Sequence, residues 1–107
     1  ISIAPLRFGA GMKGKIGEAM AFGLPVVTTT IGAEGMHLRE GVEVMIGDSP
    51  EDFAEHIVRL HHDVALWESV ARNARARVER DWSPAAVDAL LMQLLARLEA
   101  AKTARAA

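Results

Sequence analysis

Apolar residues come in short unbroken runs near the start of the chain and at helical spacing in its second half. Ile1 to Leu6 is an apolar run ending at a proline, the pattern of a buried strand that stops as it reaches the sheet edge. Pro25-Val-Val-Thr-Thr-Thr30 is a run rich in β-branched residues without polar alternation, as expected of a parallel strand covered on both faces. Between them, a glycine-dense stretch from Arg7 to Lys15 gives way to Ile16–Phe22, which has helical character, and Gly23 is placed to close that helix at C′. Strand, helix and strand within about thirty residues form a βαβ unit, whose crossover is right-handed. Gly32 to Gly41 reads as a loop with one helical turn, and Glu43-Val-Met-Ile-Gly47 as a third strand.

Three helices follow. Ser49-Pro50-Glu51-Asp52 is a helix start, with Ser49 as cap, Pro50 at the first helical position and Asp52 where a capping-box acid sits; Phe53, Ile57 and Leu60 then share one face. Asp63 is placed to cap a second helix, with Trp67, Val70, Ala74 and Val78 along its buried stripe. Ser83-Pro84 repeats the start signal, and Val87, Leu90, Leu91, Leu94, Leu95 and Leu98 form a broad apolar face, either core or interface. The fold class is therefore α/β: a partial Rossmann-like domain, with a small parallel sheet, flanking helices and a helical C-terminal end. So small a sheet has an exposed edge. Together with a first residue, Ile1, that lies inside a strand, this creates the expectation that strands upstream belong to the same protein. No internal repeat is visible, and the alanine-rich tail from Ala100 onward is expected to fray.

Composition narrows the function. A chain of 107 residues is one domain at most, and at this length roughly two thirds of the unfolded surface can be buried. Half the residues are apolar, 24% are charged and the net charge is −2, which argues against disorder and against a nucleic-acid-coating surface. A small-molecule partner is expected instead. The absence of cysteine removes disulfide scaffolds, thiolate zinc sites and cysteine nucleophiles, and fits the cytosol. No apolar stretch approaches the roughly 18–20 residues needed to span a bilayer, and no signal peptide opens the chain. His37, His56, His61 and His62 show no metal-ligand pattern, the His61-His62 pair fitting a helix C-terminus. Trp67 and Trp82 read as packing residues, since no basic stripe accompanies them.

The stretch from Arg7 to Lys15 carries the candidate chemistry. Gly9-x-Gly11-x-x-Gly14 matches the dinucleotide fingerprint and lies between a strand and a helix, but the acidic ribose ligand at the end of the next strand is replaced by Thr28, Thr29 and Thr30, and Glu34 comes too late. Gly9 to Lys15 also has P-loop spacing, but Ile16 stands where a hydroxyl should bind magnesium. Both readings share one physical basis: glycines let backbone N–H groups approach an anion, the helix behind carries about half a positive charge at its N-terminus, and lysines add to it. A phosphate group is the expected guest, and a plain strand-to-helix turn with solvated lysines is the alternative. Glu18, one turn beyond Lys15, brings a carboxylate near the same loop.

Glu18-Ala-Met-Ala-x-Gly23-x-Pro25-Val-Val strongly resembles the signature of group 1 (family 4-like) retaining glycosyltransferases of GT-B architecture. Pro5-Leu-Arg-x-Gly-x-Gly, Gly32-Ala-Glu-Gly35, Gly41–Asp48 and Pro50-Glu-Asp-Phe53 follow that family's order, so the resemblance covers roughly residues 4 to 83, and Trp82 precedes a last helix as in the family. It implies that residues 1–83 are the C-terminal part of the nucleotide-sugar-binding domain, that 84–107 form the C-terminal helix, and that the N-terminal acceptor domain is absent. By resemblance, Glu18 binds the ribose hydroxyls, as two acceptor oxygens suit a pair of hydroxyl donors; its alternative role is a first-turn acid favourable to the helix dipole. Many members carry a second glutamate eight residues earlier that contacts the donor sugar; here that position is Ala10. Backbone N–H groups around Gly9, Gly11 and Met12 are then the expected sugar or phosphate contacts, and Arg7, Lys13 and Lys15 the candidates for the diphosphate, with Lys15 favoured.

The implied reaction moves a sugar from a nucleoside diphosphate to an acceptor with retention, needing no cofactor or bound metal, in a cleft of which this chain supplies one wall. The implied partners are a nucleoside-diphosphate sugar and the enzyme's own N-terminal domain, with no nucleic acid. The expected location is the cytoplasm or the inner membrane face. In the family the last helix crosses back toward the N-terminal domain; separated from it, the leucine face is expected to form a homodimer. A non-catalytic nucleotide- or dinucleotide-binding module is the runner-up reading, and a structural interaction domain the third.

Overall fold

The computed structural model describes residues 1–106. Strand β1 (Ser2–Ala4), helix α1 (Gly14–Ala21) and strand β2 (Val26–Thr28) form the expected βαβ unit. A single helical turn, α2 (Thr30–Ala33), leads through a loop to β3 (Met45–Ile46), and helices α3 (Pro50–His62), α4 (Val64–Trp82) and α5 (Pro84–Ala106) complete the chain. The three strands are parallel in the order β1-β2-β3, with Ile3 opposite Val27 and Val27 opposite Met45. This is the small parallel sheet with flanking helices and a long C-terminal helix of a partial Rossmann-like domain.

Alternation along β2 divides the core. Val26 faces a cluster with Ile16, Ala19 and Met20 of α1 and Ala74 of α4, whereas Val27 faces Met45, Leu60 of α3 and Val70 of α4. Both valines are essentially fully buried, as a two-sided strand requires. Helix α4 contributes to both layers, so it ties α1 to α3. Helix α3 covers β2 and β3 but leaves β1 bare on that side: Val27 is 0% exposed and its β1 neighbour Ile3 48%.

The capping signals act as the side chains dictate. Ser49, Asp63 and Ser83 each accept a hydrogen bond from the backbone N–H three residues on, at 3.1, 3.0 and 3.1 Å, and Gly23 closes α1 at φ +74°. Ser49→Ala should destabilise the fold by about 1 kcal/mol; urea unfolding of the variant checks this, and an unchanged midpoint would show the cap to be idle.

Several boundaries differ from the sequence reading: β1 ends at Ala4 rather than Leu6, and α1 begins at Gly14 rather than Ile16. Strand β2 stops at Thr28 rather than Thr30, because Asp48 captures the Thr30 N–H at 2.8 Å and the side chain of Thr29 caps α2. The helical turn therefore precedes Gly32–Gly41 in part instead of lying inside it. The third strand shrinks to Met45–Ile46, with Val44 in an isolated parallel bridge to Glu40, because Glu43 is turned inward to meet arginines.

Helix α5 is the element without a core. None of its residues is buried, and Leu90, Leu91, Leu94, Leu95 and Leu98 are all more than half exposed. The radius of gyration is 17.7 Å, against about 13 Å for a compact chain of this length. The accessible surface of 7194 Å² exceeds by about 1,400 Å² the ~5,800 Å² expected of a monomer of this mass. Among the described residues no helix is long and apolar enough to cross a membrane.

Candidate functional site

Between β1 and α1 the chain from Arg7 to Met12 is exposed, and no backbone group in it pairs with another backbone group among the described residues. Gly9 and Gly11 stand at φ +134° and +81°, which only glycine enters at little cost. Lys13 is the N-cap of α1 and supplies no side-chain cap, and the first turn holds no acid. The N–H groups of Gly14 and Lys15 have no partner among the described residues, so the positive end of the helix is left open toward the loop.

The sequence candidates divide around this loop. Lys13 folds back, its Nζ donating to the Gly11 carbonyl at 2.6 Å. Lys15 and Glu18 are exposed and sit three residues apart, hence on one face of α1. Glu18 is about 6 Å along the helix from its first residue. Met12 is 55% exposed. The structure thus groups Gly9, Gly11, Met12, Lys13, Lys15 and Glu18 around the loop and the open end of α1.

Arg7 also lines a groove of about 880 Å³ along the C-terminal ends of the strands, with Leu6, Thr29, Thr30, Asp48 and Phe53 among its walls. Ligands of open parallel sheets bind outside those strand ends. Three consecutive threonines organise this edge. Thr28 Oγ1 donates to the Ala4 carbonyl at 2.9 Å, Thr29 Oγ1 to the Leu6 carbonyl at 2.6 Å, and Thr30 Oγ1 to Asp48 at 2.6 Å. The Thr30 hydroxyl, and then its N–H, hold the Asp48 carboxyl below the usual aspartate range. Thr29, Thr30 and Asp48 were not among the sequence candidates. Thr-Thr-Thr at a strand end is a visible signal, but by itself it shows only that the acid of the dinucleotide fingerprint is missing.

A separate polar cluster lies at the α4 end of the molecule. Glu43, 1% exposed, takes hydrogen bonds from the Arg39 N–H at 2.7 Å and the Arg39 guanidinium at 2.8 Å, with Arg77 Nη1 at 3.5 Å. Burial pushes its pKa up, but the Arg39 hydrogen bonds and the charges of Arg39 and Arg77 together leave it lowered. His56, whose ring packs at the sheet edge, meets the Ile46 carbonyl through Nε2 at 2.9 Å. No group of three or more potential metal ligands occurs among the described residues.

The Rossmann-like unit thus presents a glycine-rich turn that opens onto an uncapped helix, with a carboxylate one turn in, and comparison with known proteins gives the class. The family model described as "Glycosyl transferases group 1" matches residues 1–63, which include the loop, α1 and strand-end residues above but not Arg77. The chain belongs to that family. It is 32% identical over 82 residues to a Klebsiella pneumoniae protein named "Uncharacterized 44.6 kDa protein in cps region", covering 77% of this chain and 21% of the relative. It is 38% identical over 65 residues to the Bacillus subtilis (strain 168) "Putative glycosyltransferase YtcC", covering 58% of this chain and 16% of the relative. The chain thus spans about a fifth of the length of these curated relatives. No solved structure matches it significantly.

Proposed function

We propose that this chain is the C-terminal, donor-binding part of a retaining, GT-B glycosyltransferase, transferring a sugar from a nucleoside-diphosphate sugar to an acceptor held by another domain. The observation that carries the reading is the pairing of an open α1 N-terminus with Lys15 and Glu18 on its exposed face, inside the segment matched by the family model.

Glu18 accepts the ribose hydroxyls, and the unpaired N–H groups of Gly14 and Lys15, the Lys15 ammonium and Arg7 receive the diphosphate. As the sugar–phosphate bond breaks, negative charge gathers on the leaving diphosphate and positive charge on the sugar. Donors already aimed at the diphosphate stabilise that charge without reorganising. Gly9, Gly11 and Met12 leave room at the loop for the sugar, since Ala10 offers it no carboxylate.

Residues 1–83 serve as the donor half and α5 as the arm that meets the rest of the enzyme. The surplus of about 1,400 Å² of surface supports this, because roughly 800 Å² per partner already makes a stable interface. The bare side of β1 supports it equally. A homodimer through the leucine face of α5 is the competing arrangement.

Calorimetric titration with uridine, guanosine, adenosine and thymidine diphosphates tests the reading. One should bind, and Glu18→Gln should weaken it about tenfold, the loss of a charged hydrogen bond. Equal affinity in wild type and Glu18→Gln removes Glu18 from the site.

A further inference from the structure

The loop from Arg7 to Met12 has no backbone hydrogen bond of its own among the described residues, yet its path must be held if Arg7 is to meet the diphosphate and the loop glycines are to leave room for the sugar. Two side chains bear on it. Lys13 ties the far end through Gly11, and Thr29 ties the near end through Leu6. The lysine bond is local and exposed, from the N-cap of α1; the threonine reaches the loop from the end of the neighbouring strand, half-buried, 23 positions along the chain.

We infer that Thr29 is a positioning residue for the donor loop, an inference that rests on the proposed function above. Its hydroxyl uses both of its capacities: it donates to the Leu6 carbonyl at 2.6 Å and accepts from the Gly32 N–H at 3.1 Å. The second bond holds the hydroxyl in place to make the first. Leu6 is the last residue before Arg7, so its carbonyl sets the direction in which the loop leaves β1. Thr28 repeats the device one step earlier on Ala4.

Gly32 completes the arrangement. A Cβ there would collide with Thr28 Oγ1 and lie 3.3 Å from Thr28 Cβ and 3.5 Å from Thr29 Oγ1. A side chain at position 32 would therefore push the Thr28 hydroxyl off the Ala4 carbonyl, while its 3.5 Å approach to the Thr29 hydroxyl is ordinary contact. The Thr-Thr-x-x-Gly spacing is thus a latch with two hydroxyls as bolts: Thr28's fills the space a side chain at position 32 would take, and Thr29's is held by the Gly32 N–H. Thr29 acts on the loop through Leu6.

The test measures loop order and donor affinity together. In Thr29→Val, which keeps the shape and removes the hydroxyl, ¹⁵N relaxation should show increased motion at Arg7–Met12 while the amides of α1 and α4 stay as in wild type. The best-binding nucleoside diphosphate should bind about three- to tenfold more weakly, the range of one lost hydrogen bond. Thr29→Ser, which restores the hydroxyl, should recover both, an outcome that general destabilisation would not produce. Should Thr29→Val fail to fold, Thr29→Ala removes the same hydroxyl without added strain. Unchanged loop order in the hydroxyl-free variant overturns the inference, whether or not a nucleotide binds. Failure of the wild-type protein to bind any of the four diphosphates would instead count against the donor reading, since the relaxation result reads the latch without ligand.

Discussion

Arg77→Ala should lower the stability of the fold by about 3 kcal/mol, at the low end of what breaking a buried ion pair costs. The guanidinium of Arg77 donates to the Met36 carbonyl at 3.1 Å and the His37 carbonyl at 2.9 Å, pairs with Asp81, lies 3.5 Å from Glu43 and stacks over the Trp82 ring at 5.7 Å. His37 has φ +53°, in the left-handed region that few non-glycine residues enter, and its carbonyl is one of those held. Removing Arg77 therefore loosens the loop before β3 and leaves Glu43 with Arg39 as its remaining cation. The effect stays at the low end of the range because Arg39 still pairs with the carboxylate. Urea unfolding followed by tryptophan fluorescence measures it, and a loss below about 0.5 kcal/mol, the scale of an ordinary surface substitution, would refute a structural role for Arg77.

Acid should shrink that difference. The folded pKa of Glu43 is lowered from its ordinary 4.5, so the stabilisation it supplies is complete above that value and is lost as pH falls through the lower folded value. Asp81 is lowered from 3.8 by its hydrogen bond from Arg80, against burial and with help from Arg77, and follows the same sign at lower pH. Wild type and Arg77→Ala should thus converge in stability below about pH 4.5. Parallel curves down to pH 3 would show that the carboxylates do not need Arg77.

Gly47→Ala should cost about 2–3 kcal/mol, through overpacking against backbone that cannot step aside. Gly47 follows β3, and a Cβ there would lie 2.7 Å from Phe53 N and 2.9 Å from Asp52 C and Phe53 Cα, in the first turn of α3. Room could be made only by lifting α3 from the sheet, which would disturb the packing of Phe53 and Ile57 on Val27 and Met45. Gly14→Ala is the control, since a Cβ there meets nothing within 4 Å, and it should leave stability level or slightly raised. Equal thermal unfolding of the two variants would show that contact with α3 is not the reason for Gly47.

The β-branched run at Val26–Thr28, the Ser49, Asp63 and Ser83 caps, the closing glycine at position 23 and the spacing of Phe53, Ile57 and Leu60 were legible from residue types alone. Each depends on neighbours within one or two turns, so local chemistry suffices. The strand-to-helix turn from Arg7 to Lys15 was legible for the same reason, as a contiguous glycine- and lysine-rich stretch with Glu18 one helical turn beyond it. Pairings across the chain were not: Thr29 meets Leu6 over 23 positions, Thr30 meets Asp48 over 18, and Arg77 meets Met36 over 41. Nothing in the vicinity of a threonine or an arginine says which distant carbonyl or carboxylate it will satisfy. That is decided when the parallel sheet sets the strand ends side by side and α4 crosses both layers, and the same closure ends β2 at Thr28 and leaves the leucine face of α5 uncovered.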